Sequence, residues 1–190
     1  MVEENKIEIP GFDVKRLIRS EAGYQVWEAL DGTADRRVVI KSIDLSLVID
    51  EIEDSVLEQL FAHQDYPESV APKLINSLRI EDRYYQVFDY VEGVNLRDLL
   101  NQGISIAVFN DLISHILRAL GRLHDVGLFH GDLKPENIVV DDDGEVFLLD
   151  GAPDVRSLDI KAESFGNFFK GATSSYASPQ FKTHRLPTVE

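Results

Sequence analysis

Apolar and polar positions divide the chain into two stretches of different rhythm. Up to about residue 90 the apolar residues fall in short runs, 12–19, 24–29, 37–43, 73–80 and 84–90, with the β-branched and aromatic content of strands. Turn residues join them at Glu21-Ala22-Gly23, Asp31-Gly32 and Glu81-Asp82-Arg83. Between the third and fourth runs the period changes. Ile49, Ile52, Val56, Leu57 and Leu60 recur at steps of three and four, which predicts one amphipathic helix. Five strands and one helix make a small lobe.

After Glu92-Gly93 the rhythm is helical. A short helix is expected over 95–101 and a long one over 107–123, where Phe109, Leu112, Ile113, Ile116, Leu117, Leu120 and Leu123 form a continuous apolar stripe. Two short strands, 138–140 and 146–149, follow as a hairpin around Asp143-Gly144. The last forty residues, rich in Ser, Gly, Ala and Phe, have little periodicity and read as a long loop.

Composition narrows the chemistry. The 190 residues are 44% hydrophobic and 28% charged, a globular balance with room for a core. The absence of cysteine removes disulfides, thiolate metal sites and a cysteine nucleophile. With 34 acidic residues against 19 Lys and Arg, the formal charge is −15, which disfavours phosphate-driven binding of nucleic acid or of an anionic membrane. No run reaches the length of a membrane span, and the acidic start leads into no apolar leader, so a cytoplasmic protein is expected.

The informative stretch is His130-Gly131-Asp132-Leu133-Lys134-Pro135-Glu136-Asn137, followed by Asp150. It resembles the catalytic loop H-R-D-L-K-P-E-N and the metal-binding Asp of D-F-G in the Hanks-type serine/threonine protein kinase family. Further matches run along the chain. Lys41, in Val38-Val39-Ile40-Lys41, resembles the third-strand lysine of V-A-I-K, and Glu53 the helix glutamate that orients it, with Glu58 as the fallback. Phe88-Asp89-Tyr90-Val91-Glu92-Gly93 resembles the hinge, with Phe88 at the gatekeeper position, and Tyr176-Ala177-Ser178-Pro179-Gln180 a degraded A-P-E.

The resemblance implies an α+β, protein-kinase-like two-lobed fold. A five-stranded antiparallel N-lobe with one helix would occupy about 10–90 and the hinge about 88–94. An abbreviated, mainly helical C-lobe would occupy about 95–190, the whole forming a single domain over 1–190. It also implies ATP and Mg²⁺. Phosphoryl transfer depends on holding nucleotide, metal and acceptor hydroxyl in line while phosphate charge is neutralised. Asn137 and Asp150 would supply the metal oxygens, and Lys41, oriented by Glu53, would contact the phosphates beside Phe88, Asp89 and Tyr90. Asp132 would take or orient the hydroxyl proton, and Lys134 would offset charge on the transferred group. His130 is expected to be structural.

Departures from the family pattern matter as much. Arg19, Glu21 and Tyr24 stand where the glycine-rich loop has its three glycines, so the backbone cradle for phosphate is weakened. Asp150-Gly151-Ala152 keeps the acid of D-F-G and lacks its Phe. Gly131 replaces the Arg of H-R-D, so control through a loop phosphate on that arginine is not expected. The chain stops soon after Gln180, which reads as a minimal kinase or a fragment. Its long-helix stripe and Phe165, Phe168, Phe169 and Phe181 offer more apolar surface than the rest can cover. The expected activity is transfer of the ATP γ-phosphoryl group to protein Ser or Thr. The alternatives are a pseudokinase acting as a nucleotide-sensing scaffold and a small-molecule phosphotransferase. A protein substrate and a homodimer or hetero-complex through the exposed C-lobe are expected, with no nucleic acid and no membrane.

Overall fold

Five runs rich in Val, Ile and aromatic residues pair into one antiparallel sheet of order β1-β2-β3-β5-β4. The strands are β1 (Phe12–Glu21), β2 (Tyr24–Asp31), β3 (Arg36–Asp44), β4 (Leu74–Ile80) and β5 (Arg83–Asp89). The structure, a computed structural model, describes residues 7–21, 23–48 and 66–151. The helix expected between β3 and β4, with Glu53 and Glu58, lies outside the described residues, and so does the expected loop from residue 152 onward. A four-residue helix, α1 (Leu45–Val48), follows β3 directly.

Period-2 alternation explains the sheet. Trp27, Ala29, Val38, Ile40, Tyr85 and Val87 point to one face and form its buried core. The opposite face carries Val26, Lys41 and Gln86 in one cross-strand row, since Val26 pairs with Lys41 and Lys41 with Gln86. Ion pairs hold its edge. Glu28 accepts from Arg16 at 2.7 Å and from Arg37 at 2.9 Å. Burial acts to raise the Glu28 carboxyl, but these two guanidiniums outweigh it and hold the group below its ordinary value.

The chain divides into two compact units, residues 1–51 with 74–90 and residues 52–73 with 91–190. In the second unit, the β-strand pair Val94–Asn95 (β6) leads into α2 (Leu96–Gln102), then α3 (Ile106–Asp125), a 3-10 turn (Pro135–Asn137), β7 (Ile138–Val140) and β8 (Val146–Leu148). Local sequence sets the helix ends. Asn95 caps α2 by accepting from Asp98 N–H at 2.9 Å, and Ser105 caps α3 by accepting from Val108 N–H at 3.2 Å. At the end of α3, Gly127 (φ 75°) donates to His124 O at 2.8 Å and Leu128 donates to Leu123 O at 3.1 Å, a Schellman stop that needs glycine.

Helix α3 carries the expected apolar stripe, and only part of it is covered. Leu112, Ile116, Ala119 and Leu123 are buried against β7, β8 and Val70, whereas Phe109, Ile113 and Leu117 are 40%, 37% and 62% exposed. The apolar arc is wider than the face the short hairpin can cover. That hairpin is narrower than expected by one residue, ending at Leu148, and β6 pairs with β7 as a third strand that two residues of sequence do not announce.

Candidate active site

Two left-handed backbones flank the site, one in the loop after α3 and one after β8. Gly131 has φ 76°, which glycine adopts freely, and Asp150 has φ 55°, which a non-glycine residue adopts at a cost of about 1–3 kcal/mol when its surroundings enforce it. His130 Nε2 donates to Leu149 O at 2.8 Å, tying the loop to the residue before Asp150. This is the structural use expected for His130. Pro135 then opens the 3-10 turn, and Asn137 closes it by donating from its backbone N–H to Lys134 O at 2.9 Å.

Three of the expected site residues converge. The Lys134 ammonium donates to Asp132 Oδ2 at 2.7 Å, and Asn137 Nδ2 donates to the same oxygen at 3.0 Å and to Asp132 O at 2.9 Å. Lys134 is 7% exposed and Asn137 is 1% exposed. A buried ammonium is tolerated only when paired, and Asp132 is its partner. The fourth residue, Asp150, is brought in through the backbone, because Leu149 N–H donates to Asn137 O at 2.7 Å. With Nδ2 committed to Asp132, the Asn137 amide turns its carbonyl oxygen the other way. That oxygen and the Asp150 carboxylate are hard donors of the kind Mg²⁺ takes, and would hold it with water and phosphate completing the shell. The donor set fits the ion. No cluster of three or more His, Asp or Glu able to hold a metal occurs among the described residues.

On the same loop, Glu136 accepts from Arg97 Nε at 2.9 Å. Burial works to raise its carboxyl, but its own backbone N–H, the Arg97 hydrogen bond and the Arg97 and Lys134 charges hold it below the ordinary value.

In the first unit, Lys41 sits on β3 with its ammonium 4.4 Å from the centre of the Phe88 ring. Phe88 is buried. Asp89 ends β5 and accepts from Arg36 Nη1 at 3.0 Å, and Tyr90 donates its backbone N–H to Arg37 O at 3.3 Å beneath the Arg37 guanidinium, 3.7 Å from the ring centre. The structure thus groups Lys41 with Phe88, and Asp132 with Lys134, Asn137 and Asp150. In place of a glycine-rich loop, β1 and β2 close at Glu21↔Tyr24, a two-residue turn containing Gly23 at φ 76°. Arg19 there donates to Glu21 Oε1 from Nε at 2.8 Å and from Nη2 at 2.6 Å.

Comparison with known proteins decides the family. The protein kinase domain matches residues 20–179. The chain belongs to the protein kinase family. Among curated relatives, serine/threonine-protein kinase D of Synechocystis is 33% identical over 108 residues, 57% of this chain and 20% of the relative. Serine/threonine-protein kinase PknG of Mycolicibacterium smegmatis is 31% identical over 186 residues, 94% of this chain and 23% of the relative. CBL-interacting serine/threonine-protein kinase 13 of Arabidopsis thaliana is 25% identical over 180 residues, 92% of this chain and 35% of the relative. The chain thus spans between a fifth and about a third of the length of these kinases. The family's antiparallel five-stranded sheet is the sheet of the first unit. No described helix is long and apolar enough to cross a membrane.

Two contacts of this kinase domain were not signalled by its motifs. Arg36 anchors Asp89 at the end of β5, a pairing visible only once β3 and β5 are neighbours. Tyr66 donates to Phe129 O at 3.1 Å, beside His130, from a position 63 residues earlier in the chain.

Proposed function

We propose that this chain binds ATP with Mg²⁺ and transfers the γ-phosphoryl group to Ser or Thr hydroxyls of a protein, as one domain over 1–190. The observation that carries this reading is the buried Lys134 held at 2.7 Å from Asp132, with Asn137 on the same oxygen. A scaffold has no need to bury that lysine against an aspartate. Asp132 orients the acceptor hydroxyl and takes its proton as the oxygen bonds to the γ-phosphorus and the bond from that phosphorus to the departing ADP oxygen breaks. Lys134 offsets negative charge on the group in transfer, and Lys41 grips the nucleotide phosphates. Phe88, Asp89 and Tyr90 line the base. Asn137 and Asp150 would hold Mg²⁺, which when bound would neutralise phosphate charge. Glu53 keeps its proposed role in orienting Lys41.

The Arg19–Glu21 pair favours the second reading, a pseudokinase that presents its surface to a partner, because it puts an acid where a phosphate cradle would be. One assay separates the two. Incubation with radiolabelled ATP, Mg²⁺ and a Ser/Thr-rich protein is expected to label substrate or enzyme for the wild type and not for Asp132→Ala or Asp150→Ala. No label, together with no nucleotide-induced change in melting temperature, would sink the enzyme reading.

A further inference from the structure

Gly151 follows the left-handed Asp150, and the Tyr66 ring fills the space beside it. A Cβ added at 151 would overlap the phenol end of that ring at Cε2 and Oη, 2.6 Å from its Cζ, so no side chain fits at 151 while Tyr66 is in place. The phenol end of the same ring donates to Phe129 O at 3.1 Å. One residue further on, His130 holds Leu149 O at 2.8 Å. The backbone around Tyr66 is fixed as well. Val70 N–H donates to Pro67 O at 2.8 Å, and Val70 O accepts from Leu148 N–H at 2.7 Å, so the 66–70 segment is stitched to the end of β8. Tyr66 therefore touches the segment on the C-terminal side of Asp150 and the segment that leads into Asp132.

We propose that Tyr66 is a positioning residue that clamps Gly151 and so holds the Asp150 carboxylate in its metal-binding orientation, its ring taking the place of a side chain at 151. The left-handed backbone of Asp150 gives the clamp something to do. Such a conformation persists only where neighbours enforce it, and relaxation of φ would swing the carboxylate away. His130 constrains the residue before Asp150, and the Tyr66 ring constrains the residue after it. A glycine at 151 is then required by the ring, not merely tolerated. The inference rests on the reading of Asp150 as a metal ligand.

Binding of Mn²⁺ to the ADP-loaded 190-residue chain, followed by electron paramagnetic resonance, tests both levels. Tyr66→Ala is expected to weaken Mn²⁺ about tenfold, in the range typical for residues that orient metal ligands, while ADP affinity without metal changes less than about twofold. Tyr66→Phe keeps the ring and should stay within about twofold of wild type. Gly151→Ala should cost about as much as Tyr66→Ala in the wild-type background and little when combined with Tyr66→Ala, because the space is then vacant. If Tyr66→Ala does not fold, the Tyr66→Phe and Gly151→Ala results still decide. Wild-type Mn²⁺ affinity in Gly151→Ala, or in a folded Tyr66→Ala, alongside a loss in Asp150→Asn would overturn the clamp and leave the metal-ligand reading standing. Unchanged Mn²⁺ affinity in Asp150→Asn would overturn both.

Discussion

The Lys134 ammonium and the Asp132 carboxylate meet at 2.7 Å across the single residue Leu133, with the lysine 7% exposed and the Asp132 side chain 21% exposed. A pair so placed is fixed before any substrate arrives. Asp132→Asn is expected to lower kcat about a hundredfold to ten-thousandfold by removing the proton acceptor. Lys134→Met should lower it about a hundredfold by removing the charge beside the transferred group. ATP affinity should stay within about twofold of wild type in both, because neither residue is assigned to hold the ground-state nucleotide. Steady-state kinetics on a Ser/Thr protein substrate checks the split. A fall in affinity with kcat intact would reverse the assignment.

At the β1–β2 turn, Glu21 places a carboxylate at a position where the family uses bare backbone, and it holds Arg19 by two hydrogen bonds to one oxygen. Glu21→Gly removes the negative charge and releases the guanidinium of Arg19, a residue paired with Val26, which is itself paired with Lys41. ATP affinity should rise about two- to fivefold at low salt, the size expected for an exposed charge contact, and the gain should shrink as salt is added. Adenosine, which carries no phosphate, should bind the two proteins alike. Calorimetric titration with both ligands gives the comparison.

The sheet was legible because each strand carries its own alternation and its own turn residues, so that the expected run at 24–29 and the observed β2 at Tyr24–Asp31 differ only at one end. The loop from His130 to Asn137 was legible for a different reason. Its chemistry is local, and hydrogen bonds such as Asn137 to Asp132 span five residues or fewer. Contacts that require distant segments to meet left no trace in the pattern. Tyr66 reaches Phe129, and Arg36 reaches Asp89, only after the chain has folded. The apolar excess of α3 is legible from periodicity, but which of its residues stay uncovered, Phe109, Ile113 and Leu117, depends on how much neighbour is available to cover them. Glu53 and the segment beyond Gly151 fall outside the described residues.

Those two faces of α3 should respond differently to truncation. Leu123 is 0% exposed in the core with Leu148 and Val70, whereas Leu117 is 62% exposed. Leu123→Ala is expected to destabilise by about 2–5 kcal/mol, from lost burial plus the cavity left behind. Leu117→Ala should change stability by about 0.5 kcal/mol or less. Urea unfolding followed by circular dichroism measures both. A Leu117→Ala loss as large as that of Leu123→Ala would mean that the exposed face is covered in solution.

The turn between β2 and β3 provides a pH signature. Asp31 accepts hydrogen bonds from the Thr33 hydroxyl at 2.7 Å, Thr33 N–H at 2.9 Å, Ala34 N–H at 3.2 Å and Arg36 Nε at 3.4 Å. The Thr33 hydroxyl and N–H lead in holding its carboxyl down at about 2 from an ordinary 3.8, with Ala34 and Arg36 adding to them against the opposing effect of burial. The folded value lies below the unfolded one, so the unfolded chain binds the proton more readily as pH falls. Stabilisation from this group is therefore complete above the ordinary value, declines as pH drops below it, and is gone once pH has fallen through about 2. Asp31→Asn cannot ionise and should lower the melting temperature at neutral pH. Its deficit relative to wild type should narrow steadily on acidification through that window. Melting curves of the two proteins across the acid range test this, and a constant deficit at every pH would show that the Asp31 charge contributes nothing to the turn.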